Sequence, residues 1–169
     1  MIMKADILKQ AVAFVIFVLA QAIVFGRLHL FHYATPLVYV YFVFSFERNY
    51  PKWAILLWSF FLGLFIDIFA NTPGLAAASL TLIAAIQPYY LELFVPRDSA
   101  ENMKPAIKTL GPSKYSTYVI PLTVFYCVVF YSLEFFNFFN WLHWLFCVVG
   151  SSVITLVLIY TFEIFKSRQ

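Results

Sequence analysis

The chain alternates long apolar runs with short polar breaks, and the runs have the length of helices rather than strands. Apolar stretches cover residues 8–25, 36–46, 53–70, 74–94, 118–136 and 141–165. A helix needs about 20 apolar residues, each rising about 1.5 Å, to cross the hydrocarbon layer of a bilayer. The second run reaches that length only if residues 28–33 contribute. Lys9, Gln10 and Gln21 interrupt the first. Pro36 and Pro121 are expected in first helical turns, where a missing N–H costs little. Pro88 lies well inside the fourth run and predicts a kink, and the Gln87 amide beside it can bond the freed backbone or a neighbouring helix. Residues 96–117 form the longest hydrophilic stretch. With Pro96, Pro105, Gly111 and Pro112 they predict a linker carrying one short basic helix over residues 102–110. Trp53, Tyr89, Tyr90, Tyr115, Tyr118, Trp141 and Trp144 fit aromatic belts at the two interfaces.

Composition makes lipid the solvent. The 169 residues are 63% hydrophobic, 21% aromatic and only 11% charged, with mean hydropathy +0.86, more apolar surface than one soluble core can hide. Charge then orients the chain. With the N-terminus in the cytoplasm, Lys4, Lys9, Arg48, Lys52, Arg97, Lys104, Lys108, Lys114, Lys166 and Arg168 fall inside, and only Arg27 falls outside. If the short second run did not cross, Arg48, Lys52 and the 97–114 loop would move outside and the bias would collapse. The expectation is therefore an all-α polytopic membrane protein, one domain over residues 1–169. Its six transmembrane helices lie near 8–25, 28–46, 53–70, 74–94, 118–136 and 141–165, with both termini and the 96–117 loop cytoplasmic. A cleaved signal peptide is the competing reading of the first run, since Ala20-Gln21-Ala22 resembles a cleavage site. The run is longer than the usual apolar core of about 7–15 residues, and cleavage would upset the topology. The net charge of +3 is too small to suggest nucleic acid.

Asp67 is the candidate functional residue. It is the acidic side chain set well inside a run, and such groups persist where they face other helices or a water-filled cavity. Gly63 lies one turn earlier on the same face and lets another backbone approach. Asn71-Thr72-Pro73-Gly74 follow the run, then the small residues Ala76-Ala77-Ala78-Ser79. One reading makes Asp67 a hydrogen-bond acceptor that fixes the register of a neighbouring helix; the other makes it a proton or cation site. The first expects Asp67→Asn to be tolerated and Asp67→Leu to be damaging. The second expects both to fail. Glu92 and Glu134 sit near helix ends and read as interfacial. His29 and His32, at i,i+3 spacing, lack a third metal ligand and also read as interfacial, as does His143. Cys127 and Cys147 fall in separate runs and read as free buried thiols. No paired-carboxylate metal motif, nucleophile elbow or Gly-rich phosphate loop is present, so neither an enzyme nor a cofactor is expected. A transporter would line a midplane pocket with Asp67 and Gln87; a scaffold would use the same residues for helix–helix recognition.

Gly63-Leu64-Phe65-Ile66-Asp67-Ile68-Phe69, followed by Pro73-Gly74-Leu75-Ala76, resembles the central Gly-x-x-x-Asp…Pro-x-Gly pattern of the bacterial rod shape-determining protein MreD family. Length, helix count, the short second helix and the basic loop agree with that resemblance over essentially the whole chain, and the motif residues lie between Gly63 and Gln87. High Phe and Tyr content is the departure, leaving the lipid-facing positions open. The resemblance implies a non-enzymatic subunit of the cell-elongation machinery in the bacterial inner membrane. Its partners would be an MreC-like single-pass protein and, through the complex, MreB, RodA and a class B penicillin-binding transpeptidase. It also implies a fold similar to the S-components of energy-coupling-factor transporters, so a substrate-binding transporter subunit is the alternative. The expected packing and partner-interface residues are Gly63, Asp67, Gly74, Ala77 and Gln87. Arg97, Lys104, Lys108 and Lys114 would form a basic loop on the anionic membrane surface.

Overall fold

A computed structural model of the chain describes residues 2–27, 35–95, 103–135 and 141–168. Seven helices run through them: α1 (Ile2–Arg27), α2 (Val40–Phe44), α3 (Lys52–Ala70), α4 (Leu75–Glu92), α5 (Ile107–Leu110), α6 (Pro112–Glu134) and α7 (Trp141–Arg168). Among the described residues, α3, α6 and the Trp141–Lys166 part of α7 are long and apolar enough to cross a membrane.

Local chemistry sets the boundaries. Pro51 precedes α3, and its carbonyl accepts the amides of Ala54 and Ile55 at 2.9 and 3.2 Å. Asn71 ends α3 by turning left-handed (φ 55°), a conformation Asn tolerates better than most residues. Gly111 (φ 81°) stops α5, and Pro112 takes the first position of α6. The start of α6 is therefore earlier than the apolar run near residue 118 suggests, and Pro121 lies in the helix interior rather than in its first turn. Pro36 also departs from expectation, since it sits in non-helical chain ahead of α2. Pro88 lies inside α4, which continues through it to Glu92.

The weakest apolar run becomes the centre of the molecule. Leu37, Tyr39, Val40, Phe42, Val43 and Phe46 are fully buried, yet only Val40–Phe44 is helical; residues 28–34 lie outside the described chain. A spanning helix over 28–46 is thus not what the described part of this run forms. Buried non-helical backbone needs hydrogen-bond partners from elsewhere in the protein. They are present. Gln21 Nε2 of α1 donates to the Pro36 carbonyl at 3.0 Å. On α7, Ser151 Oγ accepts the Thr35 amide at 3.0 Å and Thr155 Oγ1 the Leu37 amide at 3.1 Å. Further along, the Tyr41 hydroxyl donates to Glu163 of the same helix at 2.5 Å. The segment therefore runs alongside α7 in the same direction. Aromatic edges close the other sides, with Phe42 against Phe14 and Phe17, and Phe44 against Tyr118.

Phenylalanine and tyrosine divide the work. Phe60, Phe61, Phe65 and Phe69 of α3 and Phe146, Phe162 and Phe165 of α7 point outward, while Tyr39, Tyr41, Tyr115, Tyr118, Tyr126 and Tyr131 are buried. An outward Phe is at home among lipid tails, whereas a buried Tyr hydroxyl needs a partner, and all of these six but Tyr115 find one inside. Tyr126 donates to the Tyr39 hydroxyl at 2.6 Å, and the hydroxyls of Tyr131 and Ser151 lie 2.5 Å apart. Tyr115 and Tyr118, expected in an interfacial belt, are core residues because the first turns of α6 already face inward. Trp53, Tyr89 and Trp141 remain exposed.

Candidate functional site

The α3–α4 hairpin is built around one close approach. α3 buries Ala54, Ile55, Ser59, Leu62, Gly63, Ile66 and Asp67, at alternating three- and four-residue steps, and turns Leu57, Phe60, Phe61, Leu64, Phe65 and Ile68 outward. Gly63 meets the α4 backbone directly. A Cβ placed on it would lie 2.4 Å from Ala77 Cα and 2.5 Å from Ala77 N, so only glycine fits. Ala76 and Ala77 are buried, whereas Ala78 is exposed.

One turn beyond Gly63, Asp67 is 4% exposed and accepts three hydrogen bonds. Thr72 Oγ1 and the Ala76 amide donate to Oδ1 at 2.6 and 2.8 Å, and the Ala77 amide donates to Oδ2 at 2.9 Å. Ala76 and Ala77 are the second and third residues of α4, whose amides have no intrahelical acceptor. Asp67 caps α4 from another helix, performing the task of an N-cap side chain. Its negative charge also sits at the positive end of the α4 dipole. The Asp67 carbonyl accepts the amides of Asn71 and, at 3.0 Å, Thr72, so backbone and side chain of one residue organise the whole connection. Gly74 contributes by conformation rather than close packing. It holds φ 76° ahead of α4, and a Cβ there would meet nothing within 4 Å. A shallow depression on the hairpin flank is lined by Leu64, Asp67, Ile68, Asn71 and Gly74, among others.

Gln87 belongs elsewhere. It lies 11 residues beyond Ala76, about 16 Å along α4 at 1.5 Å per residue. There its Nε2 donates to the Tyr118 hydroxyl of α6 at 2.9 Å, and its Oε1 has no partner. Asp67 and Gln87 therefore do not line a common pocket. Lys104, Lys108 and Lys114 are exposed, and Lys104 pairs with Glu47 at 3.1 Å. Arg97, His29 and His32 lie outside the described residues. Cys127 and Cys147 are free buried thiols.

Sequence reasoning missed Glu163. Despite its place near the end of the last run, it is 2% exposed, with Tyr41 on Oε2 and the Ile107 amide on Oε1 at 3.3 Å. A signal was available: Ser151, Thr155 and Glu163 recur at multiples of four within an apolar helix, on one buried stripe with Ile159.

These features define an all-α membrane protein whose interior is ordered by hydrogen bonds between helices. Comparison with protein-family models, curated proteins and solved structures found no match.

Proposed function

We propose that the chain is a non-enzymatic scaffold subunit of a bacterial cell-elongation complex, as its resemblance to the MreD family implies. The α3–α4 hairpin is its rigid platform. In this reading the chain crosses the inner membrane six times with both ends in the cytoplasm, and the 35–46 segment belongs to the second crossing. The outward apolar face of α3 receives the single transmembrane helix of an MreC-like partner, through which MreB, RodA and the transpeptidase are gathered. Lys104, Lys108 and Lys114 rest on the anionic inner leaflet. The observation that carries the proposal is the Gly63–Ala77 approach locked by Asp67. It makes two helices one stiff unit through small and polar residues, and leaves the Leu and Phe face of α3 open to a partner helix.

The buried non-helical backbone of residues 35–39 favours a second reading, a substrate-binding subunit of an energy-coupling-factor transporter, because broken helices often line solute sites. One experiment separates the two. The tagged chain is purified from its own membranes in mild detergent and the co-purifying proteins are identified. Recovery of an MreC-like protein with wall-synthesis enzymes supports the scaffold. Recovery of paired ATPases with a coupling subunit overturns it in favour of transport.

A further inference from the structure

The segment from Met103 to Gly111 crosses the end of the bundle where α6 begins and α7 finishes. Its helical part, α5, is a single turn of four residues, too short to persist by itself. The segment is therefore held by its contacts. Two are superficial: Lys104 pairs with Glu47, with 44% and 19% of their side chains exposed, and the Arg48 amide donates to the Met103 carbonyl at 3.1 Å. Exposed ion pairs of this kind hold little. Pro105 and Leu110 are buried apolar anchors, and Met103 and Ile107 pack partly against the core. One polar contact is of another kind: the Ile107 amide, at the first position of α5, donates to Glu163 Oε1 at 3.3 Å. That amide has no acceptor within its own helix.

Glu163 is itself held ready. Tyr41 donates to its other oxygen, and Lys166 Nζ lies 3.3 Å from the Tyr41 hydroxyl, so an ammonium, a phenol and a carboxylate stand in line behind the segment. At the same end Tyr115, 1% exposed, carries a hydroxyl with no hydrogen-bond partner. A closed state that leaves a buried hydroxyl unsatisfied gains by admitting water, which lowers the penalty for opening. We propose that residues 103–111 form a strap that opens and closes over this end of the bundle, with Glu163 as its latch. Opening gives water a path to Tyr115 and frees Lys104 and Lys108 from the bundle; closing seals it.

Purified full-length protein in detergent tests the idea through limited trypsin digestion. Lys104 precedes Pro105 and resists cleavage, so Lys108–Thr109 reports the strap and Lys52–Trp53, in the first turn of α3, serves as the control. Glu163→Leu removes the acceptor and is expected to speed cleavage after Lys108 about tenfold or more, with cleavage after Lys52 unchanged. Glu163→Gln keeps an oxygen for Ile107 and is expected to stay within about threefold of the native rate. Equal rates in the native and Leu proteins, or cuts after Lys108 and Lys52 rising together, overturn the latch. Hydrogen exchange on the native chain reads the same contact without a mutation. The Ile107 amide is expected to exchange more slowly than that of Lys108, and equal exchange likewise overturns the proposal.

Discussion

Replacing Asp67 by Asn and by Leu measures what the three donors around it contribute. The two amides and the Thr72 hydroxyl point at two oxygens of a single carboxylate. Asn retains one acceptor, which serves Ala76 and Thr72, but sets its own NH2 against the Ala77 N–H, donor against donor. One charge-assisted bond is lost and one buried amide is left unsatisfied, a penalty of about 2–3 kcal/mol. Leu removes every acceptor and strands both α4 amides, which raises the penalty to about 4–6 kcal/mol, lost charge at the helix dipole included. The sequence-based expectation that Asn is harmless for a register-fixing acceptor therefore changes: the amide is intermediate because the native group accepts on both oxygens.

Cys127 and Cys147 supply the assay. Both thiols are buried and free, so a thiol-reactive fluorogenic dye reports unfolding of the detergent-solubilised chain as it is heated. With about 2–4 °C per kcal/mol for a chain of this size, Asn lowers the midpoint by about 4–12 °C and Leu by about 8 °C or more, in that order. A Leu variant as stable as the native chain would refute the capping role. An Asn variant as damaged as Leu would show that charge, rather than the number of acceptors, governs the site.

Substitutions at four other positions follow from the same geometry. Gly63→Ala drives a methyl into the α4 backbone and is expected to cost about 3 kcal/mol or more. Ala77→Gly does not rescue it, because the clash is with Ala77 Cα and N; the same melting assay on single and double variants checks both statements. Gly74→Ala has ample room but must hold φ 76°, so it costs about 1–2 kcal/mol, and Gly74→Asn costs less than Gly74→Ala in parallel melts. Thr155→Val keeps shape while removing the acceptor for the buried Leu37 amide, a loss of about 1–3 kcal/mol, and hydrogen exchange at Leu37 rises while that at Ala76 does not.

Gly63 and Asp67 were legible because they stood out as exceptions to an apolar run, whereas the outward and inward faces of α3 were not, since nearly every other residue of the helix is apolar. The hairpin turn was legible too: Asn and Gly mark left-handed backbone on either side of it. What composition hid was the 35–46 segment. Its residues are as apolar as any spanning helix, and nothing local tells that Gln21, Ser151 and Thr155 supply the bonds its backbone would otherwise make within a helix. Those partners are separated from it by 15 to 118 positions. The start of α6 was hidden in another way. Tyr115 and Tyr118 read as interfacial from their chemistry, and only their hydrogen-bonding and ring partners on α4 and α7 turn them inward.

Asp67 and Glu163 together alter what an acid in a membrane helix implies. The ordinary inference is a proton or ion pathway, because an unpartnered carboxylate in hydrocarbon is costly. Here each carboxylate sits where another helix begins, Asp67 on the second and third amides of α4 and Glu163 on the first amide of α5. Amides at a helix start have no intrahelical acceptor, so they and a buried carboxylate relieve each other. A transport residue must exchange its partner on every cycle; Asp67 is positioned so that any exchange loosens the close Gly63–Ala77 approach of α3 and α4. That argues for a fixed joint. It leaves Glu163, whose amide partner belongs to one short turn rather than a spanning helix, as the carboxylate whose contact can be released without disturbing the α3–α4 platform.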